Sequence, residues 1–145
     1  MNFRLQDIRE NMELSQKEVA DILKVSQPTY SRWEKEVEII PLNKLILLAN
    51  YYGISLDYIC NLSNIKKESK AYNYKVDKKI SGNNIVTFRK EKNLTQKELA
   101  LFLNTIPSTV CAYEKGKILI LTSFAYQICK RYNVSMDYIC GITKD

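Results

Sequence analysis

The sequence predicts an all-α chain built as two tandem five-helix units joined by a basic linker. Three observations predict it. The stretch "LSQKEVADILKVSQPTYSRWEKE" at residues 14–36 returns as "LTQKELALFLNTIPSTVCAYEKG" at residues 94–116, at a constant shift of 80 residues. Within each copy, apolar residues recur at helical spacing between recognisable helix starts and stops. Only four glycines and three prolines interrupt 145 residues, too few to punctuate many short strands. The units span residues 1–64 and 82–145, with the linker at 65–81. About 60 residues is small for a domain but sufficient for a helical one.

The first helix places Leu5, Ile8 and Met12 on one face, and the copy does so with Ile85 and Phe88. The second opens on Ser15-Gln-Lys-Glu18, repeated as Thr95-Gln-Lys-Glu98. Both are capping boxes, in which the hydroxyl accepts from a free backbone N–H and the glutamate reaches back to the cap. Val19, Ile22 and Leu23 then face inward, as do Leu99, Phe102 and Leu103. Ala20 and Ala100 are small where two helices approach. A break at Lys24-Val25, or Asn104-Thr105, precedes the third helix. Ser26 caps that helix in the first unit, and Pro28 and Pro107 fall in its first turn, where a missing N–H does little harm. Tyr30 and Trp33 point inward, with Val110 and Tyr113 in the copy. The fourth helix starts at Pro41, carries Leu45, Leu48 and Tyr52, and ends at Gly53; Asn133 stands there in the copy. Ser55 and Ser135 cap the fifth, with Asp57 and Asp137 at the positive end of its dipole.

The composition excludes several classes of function. There is no histidine, and Cys60, Cys111, Cys129 and Cys140 form no C-x-x-C pair. A zinc site or a Cys/His nucleophile is therefore not expected, and the cysteines read as reduced, small apolar side chains. No glycine-rich phosphate loop and no cluster of carboxylates suggests an enzyme. The reading calls for no cofactor and no metal. "MNFRLQDIRE" carries charges where a signal peptide needs an apolar run, and "LILLA" at 45–49 is far too short to cross a bilayer. A cytoplasmic setting without membrane association follows. The net charge is +6 and the pI about 9.1. Residues 1–64 hold seven basic and nine acidic side chains, whereas residues 82–145 hold nine and five. The linker adds six lysines against one glutamate and one aspartate, so the positive charge sits in the linker and second unit.

At "L-[ST]-Q-K-E-[VL]-A-x-x-L", followed by "[SP]-T-x-x-x-[WY]-E-K", each unit resembles the lambda-repressor-like helix-turn-helix family of Cro/XRE type. "LANYYGISLDYI" and "ICKRYNVSMDYI" resemble that family's fourth helix and the start of its fifth. The resemblance implies that the third helix lies in the major groove of double-stranded DNA and reads base edges from its first residues. Those residues are Gln27, Pro28, Thr29 and Arg32. Glutamine suits an adenine edge, arginine a guanine edge, and the threonine methyl a thymine methyl. The resemblance also implies phosphate contacts from Gln16 at the start of the second helix and from Lys35. The second unit keeps Gln96, Thr109 and Lys115, but has Pro107, Ser108 and Ala112 for Gln27, Pro28 and Arg32, and Ile106 for the Ser26 cap. It departs from the family at its reading surface. The first unit departs at Lys24 and Glu36, where glycine is usual.

Competing readings stand beside these. Trp33 and Tyr113 fit core packing better than base stacking. Glu34 and Glu114 would repel DNA, and read as internal partners of Arg9 and Arg89. The leading functional expectation is a sequence-specific DNA-binding transcriptional regulator, a repressor, whose duplication supplies two heads for an asymmetric site. The alternative is that the first unit binds DNA while the second dimerises the chain or docks a regulatory protein such as a toxin or an antirepressor.

Overall fold

The structure, a computed structural model, describes residues 1–66 and 77–142. The segment 67–76, most of the expected linker, lies outside the described residues, as do 143–145. All regular structure among the described residues is helical. The chain divides into two compact units, Met1–Tyr74 and Lys75–Asp145.

The first unit contains α1 (Leu5–Asn11), α2 (Gln16–Leu23), α3 (Gln27–Glu34), α4 (Leu42–Tyr52) and α5 (Leu56–Ile59). The second contains α6 (Lys78–Glu91), α7 (Gln96–Phe102), α8 (Pro107–Glu114), α9 (Thr122–Tyr132) and α10 (Met136–Ile139). Both capping boxes form: the Glu18 N–H donates to Ser15 Oγ at 3.0 Å, and the Ser15 N–H donates to Glu18 Oε1 at 3.1 Å. The Thr95–Glu98 pair repeats this at 3.0 Å in both directions. Ser26, Ser55 and Ser135 also cap their helices. In each unit one apolar core gathers residues from all five helices. Leu5, Val19, Tyr30, Leu45 and Leu56 are buried in the first unit, and Ile85, Leu99, Val110, Ala125 and Met136 in the second. Trp33 and Tyr113 are core residues, and Trp33 meets Tyr30 edge to face with ring centroids 6.4 Å apart. Cys60 and Cys140 are buried thiols. Among the described residues, no helix is long and apolar enough to cross a membrane.

Three expectations shift. Met12 lies past the end of α1 and is 45% exposed, because the chain turns away there rather than continuing the helix. Ile22 and Phe102 are only half-buried, at the rim of the cores. The helix α6 starts at Lys78, so residues 78–81 of the expected linker are helical. The cause is Asp77, whose Oδ1 accepts from the N–H groups of Lys79 at 2.9 Å and Ile80 at 3.2 Å. This added length packs closely. A Cβ built on Gly82 would stand 2.5 Å from the Tyr113 carbonyl oxygen and 2.7 Å from that of Glu114. Ser81 Oγ, buried beside it, donates to the Ile139 carbonyl at 2.8 Å.

One turn ends four helices in each unit. A residue with positive φ donates to the carbonyl three positions back, and its successor donates to the carbonyl five positions back. In the first unit these residues are Glu13, Lys24, Glu36 and Asn61. In the second they are Asn93, Asn104, Gly116 and Gly141, the residue types that adopt this conformation at least cost. The first unit therefore stores backbone strain at Glu13, Lys24 and Glu36 that the second avoids.

Two outcomes follow. Replacing Lys24 (φ 58°) with glycine relieves strain of about 1–2 kcal/mol against an entropic loss of about 0.5–1 kcal/mol. The net gain shows as a higher urea midpoint in the fluorescence of Trp33, the single tryptophan of the chain. Gly82→Ala forces backbone apart, at a cost of about 1–3 kcal/mol or more. It lowers the unfolding midpoint of the second unit in tyrosine near-ultraviolet circular dichroism and leaves the Trp33 transition in place.

Candidate nucleic-acid interface

The exposed start of α3 rests on a buried ion pair. Arg9 on α1 donates from Nε to Glu34 Oε2 at 2.5 Å and from Nη2 to Oε1 at 3.2 Å. Its third donor, Nη1, holds the Leu14 carbonyl at 2.8 Å, fixing the approach to α2. The Glu34 side chain is 2% exposed and that of Arg9 12%. Gln16, the first residue of α2, donates from Nε2 to Glu34 Oε1 at 3.1 Å and accepts at Oε1 from Gln27 Nε2 at 2.7 Å. A continuous polar chain thus runs Arg9–Glu34–Gln16–Gln27, from the interior to the first residue of α3. Arg9, Glu34 and Gln16 each make at least two of these bonds, and Gln27, the last, is exposed.

A second chain runs along the surface. Ser26 Oγ accepts from the Thr29 N–H at 3.3 Å and shares a hydrogen bond with Thr29 Oγ1 at 2.8 Å. Arg32 donates from Nη2 to Thr29 Oγ1 at 3.3 Å and from Nε to Glu38 Oε1 at 3.0 Å. Pro28 and Lys35 are exposed on the same helix and at its C-terminal cap. The residues singled out in the first unit therefore fall into two hydrogen-bonded groups, with Pro28 and Lys35 outside both. Glu38 was not among them. The signal for it lay in the turn: residue 36 is left-handed, and such a turn folds residue 38 back toward residue 32.

The second unit keeps the frame and changes the surface. Arg89 holds Glu114 at 2.6 and 3.1 Å and the Leu94 carbonyl at 2.9 Å, and Gln96 donates to Glu114 Oε1 at 2.9 Å. The polar chain stops there, because Pro107 occupies the place of Gln27. Ser108 and Lys115 are exposed and Thr109 is half-buried. Ile106 caps α8 with no side-chain bond. Leu101, Ile106, Ile118 and Leu121 are exposed where the first unit has Asp21, Ser26, Glu38 and Pro41. Exposed Lys97, Lys115 and Lys117 accompany them.

Comparison with known proteins bears on this geometry. A family model described as Helix-turn-helix matches the chain twice, over residues 5–59 and 85–139. The chain is also similar to the uncharacterized HTH-type transcriptional regulator YobD of Bacillus subtilis (strain 168). That match is 33% identical over 60 residues, 41% of this chain and 54% of the relative. The chain thus spans about half the length of that curated relative. No solved structure gives a significant match.

Acid reaches the first unit through two carboxylates. Burial pushes Glu34 up, but the bonds from Arg9 and Gln16 outweigh it and hold the group below its usual 4.5. Glu36 is opposed by burial in the same way. It is held low because it accepts from the N–H groups of Phe3 at 2.8 Å and Asn2 at 3.0 Å. A depressed carboxylate contributes stability that is complete above the unfolded pKa and is lost as pH falls through the folded value. The stability measured by urea unfolding from about pH 7 down to pH 3, followed by Trp33 fluorescence, therefore declines as the pH falls from the ordinary carboxylate range downward. Glu34→Gln starts from a lower plateau, because Arg9 is left buried without its charge partner, and declines less steeply. An unchanged slope would show that Glu34 is not the titrating group.

Proposed function

The chain belongs to the Helix-turn-helix family of Cro/CI type, in two tandem copies, and on that premise we propose that it is a sequence-specific transcriptional repressor. It acts on double-stranded DNA in the cytoplasm by occupying its site. The first unit inserts α3 in the major groove, where Gln27, Thr29 and Arg32 meet base edges, Pro28 packs beside them, and Gln16 and Lys35 approach phosphates. One observation carries this reading: the buried ion pair is joined through Gln16 to an exposed Gln27. A glutamine held from behind meets a base edge with less loss of side-chain freedom than a free one. The relative's description as a transcriptional regulator supports the same reading.

A second reading concerns the second unit. Its exposed Leu101, Ile106, Ile118 and Leu121 favour a protein-facing surface, through which it dimerises the chain or docks a regulatory protein. On the first reading, Gln96, Ser108, Thr109 and Lys115 contact DNA and the operator has two unlike half-sites.

Selection of bound sequences from random duplex DNA at fixed salt, with the intact chain, tests both. Two unlike half-sites support DNA reading by both units. A site abolished by Arg32→Ala and untouched by changes at Ser108 and Thr109 assigns the second unit to protein. Arg32→Ala weakens specific binding by about 1–3 kcal/mol, and Ala112→Gly changes it little. Equal losses from the two substitutions refute the division of labour, and no selected sequence at all refutes the proposal.

A further inference from the structure

The turn that ends α3 does more than stop a helix. The Glu36 N–H donates to the Trp33 carbonyl at 3.1 Å and the Val37 N–H to the Arg32 carbonyl at 3.0 Å. The Glu38 N–H also approaches the Arg32 carbonyl, at 3.4 Å. Backbone alone therefore carries residue 38 back over residue 32. The turn is clamped from outside, since the Glu36 carboxylate holds the N–H groups of Asn2 and Phe3.

Glu38 and Thr29 then divide the arginine between them. A guanidinium has five N–H donors in a fixed plane. Glu38 takes Nε at 3.0 Å and Thr29 takes one hydrogen of Nη2 at 3.3 Å, which occupies one side of the plane. The two Nη1 hydrogens and the second of Nη2 are not used by these contacts. The end of the fork is the edge that matches O6 and N7 of guanine. An acidic side chain beside DNA repels phosphates, so a carboxylate here lowers binding to every sequence alike. A carboxylate that also aligns a base-reading arginine raises the contrast between right and wrong sequences.

We infer that Glu38 is a positioning residue that presents the end of the Arg32 guanidinium to a guanine in the operator. The inference rests on the reading that the first unit binds DNA through α3. The second unit supplies an internal control. Its turn is the same, with the Gly116 N–H on the Tyr113 carbonyl and the Lys117 N–H on the Ala112 carbonyl, both at 3.0 Å. On that unchanged turn the arginine and the glutamate are both absent: Ala112 stands for Arg32 and Ile118 for Glu38. Two positions six residues apart have changed from a polar pair to an apolar pair.

The test uses the full chain and duplex DNA selected by it, with each base varied in turn. Arg32→Ala identifies the base pair read by Arg32 as the one at which discrimination disappears. Glu38→Ala is expected to reduce guanine preference at that pair about fivefold, the scale of an exposed ion pair, and to raise affinity for unrelated duplex. Glu38→Gln keeps an acceptor for Nε, so it restores most of the preference while retaining the higher background affinity. Glu38 is exposed, and an unaltered Trp33 unfolding transition shows that the variants fold. Full guanine preference in Glu38→Ala overturns the inference, and so does equal loss in Glu38→Ala and Glu38→Gln. An operator whose Arg32-dependent base is not guanine overturns it while leaving DNA binding by the first unit intact. A wild-type chain that selects no sequence overturns both.

Discussion

Each unit is organised around one buried arginine–glutamate pair. Arg9 and Glu34 join α1 to the last turn of α3, and Arg89 and Glu114 do the same for α6 and α8. The pair sets more than a distance. The arginine also holds a carbonyl in the turn before the next helix, and the glutamate accepts from the glutamine that opens that helix. Three helices are thereby indexed to one carboxylate. Desolvating two charges offsets much of their attraction, so such a pair adds little net stability over apolar packing. Its effect is to make other helix placements leave a buried charge unpaired.

Against that common frame the two copies diverge in opposite ways. The second has the easier backbone, with asparagine or glycine at all five left-handed positions, and a longer first helix seated through Gly82. The first keeps glutamate or lysine at three of these positions, and at one of them the strained residue has a use. Glu36 contributes a carboxylate that ties down residues 2 and 3, which glycine would not. The surfaces diverge as well. The first unit ends its buried polar chain in Gln27 and sets Arg32 between Thr29 and Glu38. The second ends its chain in proline and exposes Leu101, Ile106 and Ile118 where the first has Asp21, Ser26 and Glu38. Strain and polar surface are kept together in one copy and lost together in the other, which fits two units under different functional demands.

Much of this was legible in the sequence, for local reasons. Capping boxes, serine caps, the glycine and asparagine stops and the inward aromatic residues depend on contacts within four residues, and such contacts carry their own spacing. The Arg9–Glu34 and Arg89–Glu114 pairs were also legible, because glutamate on a face presented to DNA invites an internal partner. The start of α6 was not. The repeat points to residue 85, but Asp77 offers an earlier cap, and whether a helix grows back toward it depends on what Ser81 and Gly82 meet.

By itself, the sequence determined that the chain is all-helical, that it carries the same unit twice, and most of the side chains that form each core and cap each helix. Hydrophobic periodicity and capping are short-range, so a linear string encodes them directly. Only the tertiary structure decided which polar residues act together. The bond between Gln16 and Gln27 spans 11 positions, that between Arg9 and Glu34 spans 25, and Glu36 meets residues more than 30 positions away. Arg32 and Glu38 lie within six positions of each other, yet they meet only because Glu36 adopts a left-handed conformation that its residue type disfavours. The glutamate at position 36 does not announce that conformation, although the glycine at the matching position 116 does.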